Sequence, residues 1–262
     1  VTTQIHTPTQ QSQSMDGGQP LPLLFLPMTL MPGEVTQLRV FEPRYKQMLD
    51  TCILDERPFG LILNDPFQPV RGWDGPRTTG TLAYIEHHEE AGSNHMLVVR
   101  GGERFDVVEV IEPALPPFSD PAVSDLVGED GFFPDQEALM ARADELGRAD
   151  LPLHISASVR IRPSFEPDEG ASTTVFNLVR STMTAIAGAM GIDEETVGPW
   201  VQSRIEEVEA SGPNGVFLAA SMVLPDLESR QLVLASATLQ EAVAEFEIGL
   251  RDLRRDLGLE EE

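Results

Sequence analysis

The apolar residues of this chain change period once, and that change constrains the fold more than any other feature. From Leu21 to Leu126 they fall in short runs broken by proline and glycine, whereas beyond Gly128 most of them recur at helical spacing. Short runs bounded by turn residues read as strands. Leu21–Leu26 gives a first strand, with Pro22 and Pro27 suited to a strand start or an edge, and Pro32-Gly33 turns the chain into a second strand at 34–41. A helix opens at Pro43, where a missing N–H costs nothing, and Tyr45, Met48, Leu49, Cys52 and Ile53 share one of its faces. Phe59 to Leu63 resumes as a strand, and 64–79 reads as a long loop rich in proline and glycine. Further strands are expected at 81–86, 96–100 and 104–111, with Gly101-Gly102 as a tight hairpin turn, and one more at 121–126. Together these predict about six strands with one inserted helix, curled into a small barrel so that few edges stay open.

Beyond Gly128 an amphipathic helix is expected at 135–148, and Leu151, Leu153, Ile155, Ala157, Val159 and Ile161 then alternate as a strand does. Helices follow at 173–190, 194–210, 215–223, 227–235 and 239–257, the last opened by a capping box of Thr238 and Glu241. The expected class is α+β: a disordered tail at 1–19, a β domain at 20–128 and a mainly helical domain at 129–262. The longest apolar stretch, 21–31, is broken by prolines and falls well short of the roughly 20 residues a membrane helix needs.

Charge and residue usage exclude several chemistries. The net charge of −25, from 43 acidic and 18 basic residues, comes with no basic stripe, which opposes a nucleic-acid partner. Lys46 is the only lysine and has no glycine beside it, so neither a phosphate-binding Walker loop nor a Ser-Lys dyad can be built from it. The lone Cys52 can form no internal disulfide, which suits a reducing cytoplasm, and on the apolar face of a helix it reads as an inert thiol. His87, His88 and His95 are the best metal candidates and would underlie a small metal-dependent hydrolase. Residue 92, however, is glycine where a zinc protease pattern needs histidine, and a solvated polar turn is the competing reading. No catalytic residue, metal or cofactor is therefore assigned. Glu42 and Arg44 flank the helix start and read as a local ion pair at that boundary. Val243, Phe246, Leu250, Leu253 and Leu257 form a short seam that reads as packing within a bundle. Phe67 and Trp73, within 64–79, either anchor a partner or plug the barrel end.

Three stretches together resemble a known family. Leu21-Pro22-Leu23-Leu24-Phe25-Leu26-Pro27 with Met31-Pro32-Gly33, then Val40-Phe41-Glu42-Pro43-Arg44-Tyr45 with Met48, then Phe59-Gly60, are similar to the N-terminal domain of Lon proteases. Gly80-Thr81-Leu82-Ala83 and Arg100-Gly101 with Arg104-Phe105 fall where that family has later strands, and Leu224-Pro225 with Glu228-Ser229-Arg230-Gln231 resemble its late helical turns. The resemblance implies a PUA-like β pseudobarrel followed by a helical bundle, in a stand-alone member without the ATPase and protease domains. It also implies a non-enzymatic module that binds unfolded or partner protein segments, with a protease or chaperone on another chain as a further partner.

Overall fold

The computed structural model describes residues 19–92, 94–128 and 132–259; apart from Gln19, the tail expected at 1–19 lies outside them. Seven strands and seven α-helices are present among these residues. The strands are β1 (Leu21–Leu26), β2 (Val35–Val40), β3 (Phe59–Val70), β4 (Trp73–Pro76), β5 (Thr79–Ala91), β6 (Asn94–Ile111) and β7 (Ser156–Ile161). The helices are α1 (Pro43–Leu54), α2 (Gln136–Glu145), α3 (Glu169–Ala189), α4 (Glu194–Ala210), α5 (Gly215–Val223), α6 (Leu227–Ala235) and α7 (Leu239–Asp256). None of these helices is long and apolar enough to cross a membrane.

The sheet runs β1-β7-β6-β5-β3-β4, and a parallel pairing of β1 with β3 joins its ends into a ring of five strands. Closure leaves β2, paired on the far half of β6, and β4, paired on β3, as the outlying strands. The alternating segment before Ile161 is thus the strand that closes the barrel, lying antiparallel between β6 and β1. Leu21, Leu23, Ile62, Leu82, Phe105 and Ala157 fill one layer of the barrel. The face of α1 made by Tyr45, Met48, Leu49 and Cys52 covers the other layer against Leu38, Phe59 and Val99.

Three local expectations are corrected. Gly101-Gly102 is no turn: β6 runs through it, because Met31 packs its carbonyl where a side chain on residue 101 would stand and the Tyr84 ring lies where one on 102 would. The real hairpin closes between Ala91 and Asn94. The stretch 64–79 is mostly not a loop, since β3 continues to Val70 and folds back into β4 through Arg71 and Gly72, both at positive φ (49° and 86°). Pro66 and Pro69 are tolerated because a register shift between Asp65 and Val70 spares them ladder duties. Finally, 121–126 forms turns and a short 3-10 helix, tucking Val123 against Leu115, Leu139 and Leu153.

The helices after Asp168 share a core of their own, in which Val243, Phe246 and Leu250 are buried and Leu253 packs at the margin, while Leu257 stays half-exposed. Thr238 accepts from the Glu241 N–H at 3.2 Å, as the box requires, whereas the Glu241 carboxylate takes the Ala237 N–H at 2.8 Å, one residue before the cap. Sheet and helices are tied by arginines. Buried Arg104 donates to the carbonyls of Leu234 and Ser236 at 2.9 and 2.8 Å while packing against the stacked rings of Phe165 and Phe217. Arg162 donates to Ala235 at 2.7 Å, so the bare carbonyls ending α6 are met by two cations, which also suit the negative end of a helix dipole. Burial, then the neighbouring Arg162, pull the Arg104 pKa down to about 10, which leaves it charged at neutral pH. Gln231 to the Thr79 carbonyl at 3.1 Å and Arg230 to Glu34 at 2.6 Å complete the seam.

Candidate functional site

The β3–β4 hairpin carries both residues singled out as partner contacts, and the structure treats them differently. Phe67 is 90% exposed. Its backbone is held firmly, since the buried Asp65 carboxylate accepts from the Phe67 N–H at 3.0 Å and from Gln68 at 3.3 Å, and Asn64 donates to Asp74 across the strands at 2.7 Å. Trp73 is half-buried: its Nε1 donates to the Leu115 carbonyl at 3.0 Å, and its ring lies 3.6 Å from the Arg44 guanidinium and edge-on to Phe118. Arg44 pairs with Glu42 at 2.8 Å, as expected, and also fixes the hairpin to the start of α1 through Trp73. From Phe118 an aromatic ribbon continues to Phe133 at 5.3 Å and Phe41 at 6.2 Å, both half-exposed. Phe67 is thus a free apolar tip, and Trp73 is the peg that positions it.

Of the three histidines, two meet. His88 Nε2 and His95 Nδ1 are 2.8 Å apart with stacked rings, and burial, followed by His88, lowers the His95 pKa. His87 points to the other face of the sheet, because neighbours on a strand alternate; it is exposed. Among the described residues no group of three or more His, Cys, Asp or Glu is placed to hold a metal. The His88–His95 contact ties the two strands of the hairpin together but brings in no third ligand for a metal among the described residues. Cys52 is buried, and desolvation pushes its thiol up to about 11, far from a reactive thiolate.

An apolar concavity in the helical bundle was not signalled by sequence reasoning. The bundle helices α3, α4 and α5 part to leave a groove of about 430 Å³, lined by Met183, Ile186, Met190, Ile192, Trp200 and Met222 among others. Met190 is 72% and Trp200 55% exposed. A signal was available: Val201, Ile205 and Val208 form the buried stripe of α4, and Trp200 lies out of phase with it, an aromatic on the wrong face for the core.

A family model described as the ATP-dependent protease La (LON) substrate-binding domain matches residues 20–246. Among solved structures, a Lon N-terminal domain protein from Xanthomonas campestris is 18% identical, with 88% of this chain and 98% of that one covered and a TM-score of 0.49. The N-terminal domain of Mycobacterium avium complex Lon protease is 12% identical over 89% of this chain and 99% of that one, with a TM-score of 0.56, a likeness of fold. No curated protein sequence matches. With the family model covering both the closed barrel and most of the helical bundle, this chain belongs to the Lon substrate-binding domain family.

Proposed function

We propose that the chain is a non-enzymatic recognition module that holds apolar segments of other proteins, unfolded chains among them, and presents them to a protease or chaperone on another chain. The observation that carries this is the Phe67 tip: a large apolar side chain, 90% exposed, on a hairpin braced by Asp65, Asn64 and the Trp73–Arg44 peg. Preorganised aromatics of this kind supply binding energy at low entropic cost. Family membership supports the reading, since the family is described by substrate binding. The charge of −25 disfavours nucleic acid and acidic partners, and the lone buried Cys52 suits work in a reducing cytoplasm.

The test is titration of a chemically unfolded, carboxymethylated protein against wild type and Phe67→Ala. Wild type is expected to bind in the micromolar range, and the folded variant about five-fold more weakly. Neither ATP turnover nor cleavage of the ligand is expected. Absence of binding at tens of micromolar, or ATP hydrolysis that follows the protein through purification and survives in Lys46→Ala, contradicts the reading.

A further inference from the structure

The walls of the groove between α3, α4 and α5 set the chemistry of what can lie in it. Most of the lining lies within these helices, where main-chain groups are largely committed to helical hydrogen bonding, and the lining side chains are methionine, isoleucine, valine, alanine and tryptophan. An extended segment buried there would find few partners for its own N–H and C=O groups, whereas a helix brings them already paired. Met183, Met190 and Met222 give a soft surface that adjusts to different apolar faces. Gly198 and Pro199 precede Trp200 inside α4, and proline there removes a helical hydrogen bond, so this wall can yield.

Charge narrows the occupant further. Between Glu169 and Ala210 there are seven acidic residues and two arginines. Both arginines are engaged, Arg204 with Glu207 and Arg180 with Gln202 at 3.3 Å. Glu194 and Glu195 open α4 directly beyond the lining residue Ile192 and have no ion pair among the described residues.

We propose that this groove binds an amphipathic helix of a partner protein, its apolar face seated on Trp200 and the methionines and its flanks bearing lysine or arginine. The inference rests on the recognition reading above and narrows its partner class. The probe is a synthetic peptide of about 18 residues, long enough for five helical turns, with leucine and phenylalanine at helical spacing and lysine on the flanks. One control replaces lysine by glutamate, and another places proline at the centre. Binding is read by calorimetry and by the methyl signals of 13C-labelled methionine.

The lysine peptide is expected to bind in the micromolar range and shift the signals of Met183, Met190 and Met222. Trp200→Ala and, separately, Met190→Glu should weaken it about ten-fold or more, as should each peptide control, while Val108→Ala, at an exposed apolar position on β6, leaves it unchanged. Both groove residues are exposed, and unchanged melting of the variants establishes that they fold. Undiminished binding to both groove variants overturns the site. Equal binding of the proline peptide overturns the helical occupant, and equal binding of the glutamate peptide overturns its charge. If unfolded protein still binds through Phe67 while no peptide enters the groove, this inference fails and the recognition reading stands; if neither ligand binds, both fail.

Discussion

In the barrel, pairing of β1 with β3 closes the ring, α1 covers one layer, and the most exposed large apolar side chain among the described residues is Phe67 on a pinned hairpin. In the helical bundle, core and surface are less sharply divided, and three helices leave a methionine-lined groove with a tryptophan on its lip. A sheet satisfies its backbone only by pairing with other strands, so it gains from closing completely and offers contacts at its loops. Helices satisfy theirs internally and can stand apart without penalty to the main chain. One fold thereby holds both a braced apolar point and an apolar trough lined by methionines. The arginine seam through Arg104 and Arg162 keeps the two in fixed relation.

Loss of that seam is expected to have the largest effect on stability. Arg104→Met leaves the Leu234 and Ser236 carbonyls without donors and is expected to cost about 3 to 5 kcal/mol. Calorimetry should show a single unfolding transition in wild type and an earlier, separating one for the helices in the variant. An unchanged single transition would mean the seam does not couple the regions.

Acid should distinguish the regions next. Burial, then Arg44 and Arg57, lower the His154 pKa from 6.5 to about 4. The unfolded chain therefore takes up a proton near pH 6.5 that the folded chain refuses until about pH 4. The barrel side keeps its full stability above that window and loses up to about 3 kcal/mol as pH falls through it. The bundle depends instead on the capping carboxylates Asp168 and Asp193, whose pKa values are lowered chiefly by backbone N–H donors, so its own loss begins only in the more acidic carboxylate range. Chemical denaturation of His154→Gln between pH 7 and pH 4 should show a flatter profile than wild type. An identical slope would remove His154 as its source.

Two smaller effects sharpen the contrast. Trp73→Ala removes the Arg44 stack and is expected to cost about 2 kcal/mol, and it should weaken unfolded-protein binding as Phe67→Ala does, because the tip loses its peg. Binding retained at full strength in that variant would make the bracing irrelevant. Thr238→Ala removes the α7 cap at about 1 kcal/mol and should leave both binding surfaces untouched, which denaturation and titration together can check.

Much of this architecture is legible in local sequence. Pro43 fixes where α1 begins and the stripe from Tyr45 to Cys52 gives its buried face, while Thr238 and Glu241 mark the start of α7 within a single turn. What escaped depends on partners distant in sequence. The strand at 156–161 could be recognised by its alternation, but nothing local says that it returns to pair with Leu21 and Val107. Gly101-Gly102 carries a turn signature that the Met31 carbonyl and the Tyr84 ring explain instead. Phe67 and Trp73 looked alike in a proline-rich stretch, and only the positions of Arg44 and Leu115 separate tip from peg. The groove was missed because its lining comes from three helices, though the phase of Trp200 on α4 hinted at it.

The most direct test of the account is site-specific photocrosslinking to an unfolded protein. A benzophenone side chain would replace Phe67, Trp200 or, as an exposed apolar control that belongs to neither surface, Val108, which is 64% exposed on β6. Recognition through defined surfaces predicts adducts from position 67, position 200 or both, competed by unlabelled unfolded protein, and none above background from position 108. Equal adducts from all three positions, or none from any, would contradict the claim that this chain recognises apolar segments at built sites.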